Sequence, residues 1–166
     1  MTKRIVILMS DTGGGHRAAA AAIREALDDE YGAGVSVELI DGLRRYAPYP
    51  FSRFPAWYPA MSSNRVWEPG YHLIDGRRRT RALNNAVWPY VRRGVRRLVR
   101  ENPCDVIISV HLLLTGPVLR ARGAGGPPVV NVVTDLVTTH ALWFHPQADS
   151  TLVPTEAARQ RALACR

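Results

Sequence analysis

The first ten residues carry the feature that most constrains the fold. Lys3–Met9 is a continuous run of mostly β-branched and aliphatic residues, which is typical of a strand buried on both faces. A glycine-rich turn follows, and the alanine-rich stretch 16–28 has the spacing of apolar residues expected of a helix. A strand that turns directly into a helix is the opening unit of an α/β sheet.

The rest of the chain repeats this alternation. Further strands are predicted over 35–40, 105–110, 128–133 and 150–153, and further helices over 80–101, with a kink or break at Pro89, 112–122 and 155–164. Alternating strands and helices predict an α/β fold with a Rossmann-like, doubly wound parallel sheet. The length of 166 residues, 46% of them hydrophobic, suits a single domain over 1–166.

Positive charge is concentrated in one part of the chain. There are 22 lysines and arginines against 14 acidic residues, a net charge of +8, and nine of the arginines lie between 76 and 100 without any acid. Such a face attracts nucleic acid, anionic lipid head groups or phosphorylated ligands, whereas the alternative is an ordinary solvated surface. Because no nucleic-acid-binding motif accompanies the arginines, no specific nucleic acid partner is expected.

The segment 42–67 departs from the alternating pattern. Aromatic residues, prolines and arginines are interleaved there without an acid, and four prolines fall within twelve residues, 48–59. This spacing predicts a loop, because prolines interrupt a regular helix. The loop either packs back onto the sheet or faces a membrane, with rings such as Trp57 and Phe54 at head-group depth and arginines on lipid phosphates.

The glycine-rich turn after the first strand allows two chemical interpretations. Gly13, Gly15 and Ala18 have the spacing of a dinucleotide-binding loop, and Asp41 ends the second strand where such a fold holds a ribose. However, the imidazole of His16 would obstruct a pyrophosphate. At a helix N-terminus His16 should stay neutral, as a general base for a hydroxyl must. A dinucleotide-binding domain of an oxidoreductase remains the alternative.

Four segments resemble one known family, the monogalactosyldiacylglycerol synthases and related diacylglycerol glucosyltransferases. They are LMSDTGGGHRAAAAAI (8–23), YAPYPFSRFPAWY (46–58), DVIISVH (105–111) and VVTDLVTTHALWFHPQADSTLVPTE (132–156). The resemblance implies the N-terminal half of a GT-B glycosyltransferase that moves a hexose, galactose or glucose, from a UDP-sugar to diacylglycerol with inversion. It also implies that the UDP-sugar is bound mainly by a C-terminal domain absent from this chain, which alone should then be inactive.

The resemblance also assigns roles to residues. His16 is implied as the catalytic base and Asp135 as a partner that orients His16 or the acceptor. Two departures lie near the acceptor cleft, because His111 and His140 are followed by Leu112 and Ala141 where the family has proline. The residues expected to bind the acceptor or lipid are Thr12, Gly13, Gly14, Gly15, Pro50 (or else Pro48), Trp57, Arg120, His140 and Trp143.

The expected partners are diacylglycerol, a UDP-sugar and the surface of an anionic phospholipid membrane. No cofactor is expected, and no metal either, because the spacing of His111, His140 and His145 fits no standard ligand motif. Cys104 and Cys165 form no CxxC pair, and no apolar run is long enough to span a bilayer. These features predict a cytoplasmic protein that lies peripherally on the inner face of a bacterial cell membrane.

Overall fold

The computed structural model describes residues 1–12, 14–62, 73–136 and 139–165. These residues contain a five-stranded, all-parallel sheet in the order β2-β1-β3-β4-β5. The strands are β1 (Lys3–Met9), β2 (Val35–Asp41), β3 (Val106–Ser109), β4 (Val129–Val132) and β5 (Ser150–Leu152). The predicted α/β fold with a Rossmann-like parallel sheet is confirmed, and every predicted strand is present with ends shifted by at most one residue.

Helices connect the strands. They are α1 (Gly15–Tyr31), α2 (Gly42–Tyr46), α3 (Phe54–Ser62), α4 (Arg77–Glu101), α5 (Leu112–Arg122) and α6 (Glu156–Ala164), with short 3-10 turns at Gly32–Gly34, Phe51–Arg53 and Ala141–Trp143. No helix in the described part of the chain is long and apolar enough to cross a bilayer.

An apolar core packs on each face of the sheet, so β1 is buried on both sides. Val6 and Leu8 point into the larger core, which α2, α4 and α5 cover. Ile5 and Ile7 point into the smaller one, where Ala20 of α1 packs. This arrangement explains why β1 is a continuous apolar run rather than an alternating one.

Helix α4 buries one stripe and exposes its arginines. Val91, Val95 and Leu98 are buried, whereas all nine arginines of the segment 76–100 are exposed. Gly94 allows close contact with α2, because a Cβ there would lie 1.8 Å from the carbonyl oxygen of Tyr46. The predicted break at Pro89 is wrong. Residues before and after this proline pack on the same core, and the helix continues through it.

The segment 42–67 is not the loop that its prolines predict. It contains α2 and α3. Pro55 lies in the first turn of α3, where backbone N–H groups have no acceptor within the helix, so a proline costs no helical hydrogen bond there. Pro59 lies further inside α3 and removes one backbone hydrogen bond. Tyr46 is buried, and Phe51 and Phe54 pack against the larger core. Residues 63–67 lie outside the described part of the chain.

Candidate functional site

The polar residues of the candidate site gather at one edge of the sheet. Strands β1, β3 and β4 are neighbours and run in the same direction, so the segments that follow their carboxyl ends meet there. The segment after β1 carries Thr12 and His16, the segment after β3 carries His111, and the segment after β4 carries Thr134 and Asp135. The sequence separates these residues by up to 123 positions.

His16 lies in the first turn of α1, two residues after the glycine that precedes the helix. Gly14 has φ +78°, a conformation that other residues rarely adopt. The Nδ1 atom of His16 lies 2.7 Å from the carbonyl oxygen of Val110 and 3.1 Å from Oγ1 of Thr134. Because a carbonyl only accepts hydrogen bonds, Nδ1 carries the proton, and in the neutral ring Nε2 therefore has a free lone pair.

The surroundings of His16 favour this neutral form. Burial has the largest effect and lowers the pKa of His16 below its ordinary value of 6.5, while the hydrogen bond to Val110 and the charge of Asp135 act in the opposite direction. The net direction is downward. His16 is therefore predominantly neutral at pH 7, as a general base must be.

His111 packs beside His16 and is almost completely buried. The ring centroids of the two imidazoles are 4.4 Å apart, at an angle of 48°. The backbone N–H of Leu113 donates to Nδ1 of His111 over 3.3 Å, so the ring proton lies on Nε2, which donates to Oγ1 of Thr12 over 2.9 Å. Burial and the neighbouring His16 hold the pKa of His111 well below its ordinary value.

Asp135 and Trp143 lie next to this pair of histidines. The indole Nε1 of Trp143 donates to Oδ2 of Asp135 over 2.8 Å, and the ring centroid of Trp143 is 6.0 Å from that of His16. Trp143 is fully buried, and Asn131 of β4 donates to its carbonyl oxygen. The hydrogen bonds that fix the His16 ring come from Val110 and Thr134, whereas Asp135 contributes its charge.

The structure places His140 in a different environment. It is fully buried at the start of the 3-10 turn, where the N–H of Leu142 donates to its Nδ1 over 3.0 Å. Its Nε2 lies 3.9 Å from Asp75, which also accepts hydrogen bonds from the N–H of Ala141 and from Arg161 of α6. The sequence analysis missed Asp75, because no local pattern marks an acid that joins three distant segments.

Arg120 lines a separate cavity of about 380 Å³ between α4, α5 and the residues after the 3-10 turn. Its guanidinium stacks over the ring of Trp88 at 4.9 Å and donates to Asn85. Arg77, Arg81 and His145 also line the cavity. The turn Ala141–Trp143 lies between the two regions, since Ala141 lines the cavity and the ring of Trp143 faces His16.

Pro50 and Trp57 lie on the surface formed by α2, α3 and the turn between them. Pro50 is exposed and follows a cis peptide bond, while Tyr49 and Trp57 are 69% and 43% exposed and pack edge to face. A second cavity, of about 450 Å³, separates this surface from Asp11 at the start of the glycine-rich turn. Gly13 lies outside the described residues.

Asp41 ends β2, as predicted, but its carboxylate is hydrogen-bonded within the protein. Its carboxylate caps α2 by accepting from the N–H of Arg44 over 2.8 Å, and it also accepts from Oγ of Ser10 over 2.9 Å. Both of these bonds go to Oδ1, and the backbone N–H of Asp11 donates to Oδ2 over 3.4 Å, so both oxygens are engaged within the protein rather than left open for a ribose. The alternative of a dinucleotide-binding domain therefore has no support.

The known proteins that are similar to this chain belong to the family that its sequence motifs indicate. The family described as monogalactosyldiacylglycerol (MGDG) synthase matches residues 16–165. This chain belongs to that family. The monogalactosyldiacylglycerol synthase of Spinacia oleracea is 36% identical over 96% of the chain and 32% of its own length. Synthases 1 and 2 of Arabidopsis thaliana are each 34% identical, over 96% and 98% of the chain and 31% and 36% of their own lengths.

These matches have two consequences. The chain spans about a third of the length of the curated relatives it matches, 31% to 36% for those named above. All three relatives are named as chloroplastic, which contradicts the location predicted from the sequence, the inner face of a bacterial cell membrane. That prediction was wrong because net charge and apolar runs carry no information about the organism or the compartment.

Proposed function

We propose that this chain is the acceptor-binding part of a galactosyltransferase that transfers galactose from a UDP-sugar to the hydroxyl of diacylglycerol. The observation that carries the proposal is the state of His16, a neutral imidazole whose Nδ1 is bound to the carbonyl of Val110 and whose Nε2 is left to act as a base. Membership of the MGDG synthase family supports the sugar and the acceptor. In this proposal the UDP-sugar is bound mainly by residues other than those of this chain.

The proposed step is a single displacement with inversion. Nε2 of His16 takes the proton of the acceptor hydroxyl while that oxygen attacks the anomeric carbon, and the bond from this carbon to the UDP oxygen breaks. The proton ends on His16 and the electron pair ends on UDP. The carbonyl of Val110 and the charge of Asp135 stabilise the imidazolium that forms, because both favour the protonated ring.

The base is tested by His16→Ala and His16→Gln in the full-length natural protein that contains this chain. Turnover should fall by about 10²-fold or more in both variants, the scale of a positioned general base. The control is Tyr31→Ala, which changes an exposed residue at the other end of α1 and should leave turnover unchanged. Turnover near the normal rate in either His16 variant would remove this residue from the mechanism.

The pH dependence gives a second test of the same residue. The base works only when it is neutral, so kcat/KM should increase with pH and reach its plateau once the pH exceeds the pKa of His16. Since burial lowers this pKa below 6.5, the midpoint of the acid limb should lie below pH 6.5. A midpoint above that value would contradict the assignment.

We also propose that the surface of α2, α3 and α4 contacts an anionic membrane. The described parts of these helices lie together, since Oη of Tyr90 in α4 donates to the carbonyl of Tyr49, and Arg97 donates to the carbonyl of Arg45. The exposed rings of Tyr49 and Trp57 provide apolar surface, worth roughly 25 cal/mol per Å² removed from water. Arginines near an anionic leaflet each add about 1 kcal/mol.

Co-sedimentation with vesicles tests this surface. The chain should pellet with phosphatidylglycerol vesicles, pellet less with pure phosphatidylcholine, and be released as salt increases. The double substitution Tyr49→Ala with Trp57→Ala should weaken binding, whereas Tyr31→Ala, which also removes an exposed ring, should not. Phe54 is not used for this test because it packs against the core. Equal binding to both vesicle types would refute the electrostatic part of the proposal.

A further inference from the structure

The glycine-rich turn that carries His16 is held at both ends by one residue of a distant segment. Three glycines in succession leave a backbone with little intrinsic preference for one conformation. Added Cβ atoms at Gly14 and Gly15 would have no atom within 4 Å, so close packing of these two residues does not fix the turn. Apart from the packing of α1 on the sheet, side chains at the ends of the turn are therefore what can fix the position of His16.

His111 contacts both of those ends. On one side its Nε2–H donates to Oγ1 of Thr12, the residue before the glycines, over 2.9 Å. On the other side its ring packs on the ring of His16, the residue after them, with 4.4 Å between centroids. The preceding residue, Val110, accepts the hydrogen bond from Nδ1 of His16.

His111 is itself rigidly held. It is 1% exposed and its Nδ1 accepts from the N–H of Leu113, so its side chain caps the N-terminus of α5. This bond fixes which ring nitrogen carries the proton, and hence that the proton is directed at Thr12. Helix α5 also packs against α4, so the ring is anchored to the larger core.

We propose that His111 is a positioning residue for the transfer reaction, which holds Thr12 and His16 together and so fixes where Nε2 of His16 points. The inference rests on the proposed function, because His111 can position a base only if His16 is that base. Misplacing a reacting group by about 1 Å costs on the order of 10²-fold in rate. The groups that face this pair of imidazoles are Asp135 and the hydroxyls of Thr12 and Thr134.

The first test is His111→Asn in the full-length natural protein. Asparagine is a favoured N-cap residue, so α5 keeps its cap, while the ring and the bond to Thr12 are lost. We expect kcat to fall about 10-fold to 100-fold, with KM changed by less than about threefold, because alignment of the base rather than acceptor binding is affected. An unchanged kcat would overturn the proposal.

The second test uses Thr12→Val and Thr12→Ser. Serine keeps the hydroxyl that His111 binds and valine removes it, so kcat should fall in the valine variant and be largely retained in the serine variant. If the two residues act as one unit, the double variant His111→Asn with Thr12→Val should be no slower than the slower single variant. Equal rates for serine and valine, or additive losses in the double variant, would overturn the proposal.

The third test does not depend on activity. Nitrogen-15 NMR of the histidine side chains in this chain should show His16 with its proton on Nδ1. In His111→Asn we expect the pKa of His16 to move upward, because the ring that shields His16 is gone. We also expect a mixture of tautomers, because the His16 ring is then no longer held against the carbonyl of Val110 that selects its tautomer. An unchanged tautomer and pKa would overturn the proposal. If His111→Asn does not fold, the same spectra of the two Thr12 variants decide the question.

These outcomes are separable from failure of the proposed function. If the unsubstituted protein transfers no galactose to diacylglycerol, the proposed function fails. If His16→Ala keeps full turnover, the transfer activity stands but His16 is not the base, and His111 then has no base to position. If His16→Ala is inactive while His111→Asn keeps normal kcat, normal tautomer and normal pKa, only the positioning role of His111 fails.

Discussion

Mild acid should destabilise this protein, because three of its histidines are wholly or partly buried and are held in the neutral form. Burial lowers the pKa values of His16, His111 and His145 below the ordinary value of 6.5. In the unfolded chain each of them takes up a proton near pH 6.5, whereas in the folded chain each does so only at lower pH. The stabilisation is therefore fully present above pH 6.5 and is lost as the pH falls towards the folded pKa values.

The magnitude follows from the number of protons. Each proton bound only by the unfolded chain lowers the free energy of unfolding by about 1.4 kcal/mol per pH unit. Three histidines together therefore set an upper limit of about 4 kcal/mol per pH unit on this slope below pH 6.5. A typical domain is stable by only about 5 to 15 kcal/mol, so even part of this slope is a measurable share of its stability. The carboxyls of Asp75 and Asp105 titrate below this range, because their pKa values are lowered from 3.8.

Urea unfolding at a series of pH values between 5 and 7.5 measures this slope. The matched variant is His145→Gln, which removes one of the three groups, and its slope should be smaller, by up to about 1.4 kcal/mol per pH unit. His145 is a suitable choice because it lies in the separate cavity rather than beside His16. A stability that stays constant from pH 7 to pH 5, or an equal slope in the variant, would refute the reasoning.

Two other substitutions test how the helices and loops are joined. Gly94→Ala should lower the free energy of unfolding by about 2 kcal/mol or more, because its Cβ would lie 1.8 Å from a backbone oxygen of Tyr46, whereas Gly125→Ala, which has open space around it, should change it little. Similar stabilities of these two variants in urea would contradict the close packing of α4 on α2. Asp75→Ala should cost about 1 to 3 kcal/mol, because the N–H of the buried Ala141 and the half-buried guanidinium of Arg161 lose their acceptor. The control Asp29→Ala removes an exposed acid and should be neutral, so equal effects of the two acidic substitutions would contradict the linking role of Asp75.

The strands and the edge of the site could be predicted from the sequence because they depend on local patterns. A strand buried on both faces has to be apolar throughout, and the run Lys3–Met9 shows this directly. The order of strands and helices then places the segments after β1, β3 and β4 at one edge. Because His16 follows β1 and Asp135 follows β4, the strand order alone brings them to this edge. Trp143 lies there as well, beside both residues.

The remaining features depend on contacts that no local pattern contains. The bond between Thr12 and His111 joins residues 99 positions apart. Arg120 was predicted as part of the same lipid-binding set as Trp143, yet it lines a different cavity, because α5 turns its last residues towards α4. The loop predicted from the prolines was wrong because the effect of a proline depends on its position within the helix.

As the proposed base, His16 has to satisfy two opposite demands, and the structure divides them between different groups. Before proton transfer the ring must be neutral, and burial supplies this by making the charged form costly. After transfer the ring is charged, and the groups that then stabilise it are the carbonyl of Val110 and the carboxylate of Asp135. A carboxylate bound directly to the ring would raise the pKa of His16 and leave the base protonated before the acceptor arrives. A fully apolar site, in contrast, would make the imidazolium too costly to form. The carbonyl bond on Nδ1 meets both demands, because it selects the tautomer with a free Nε2 in the neutral ring and strengthens when the ring becomes charged.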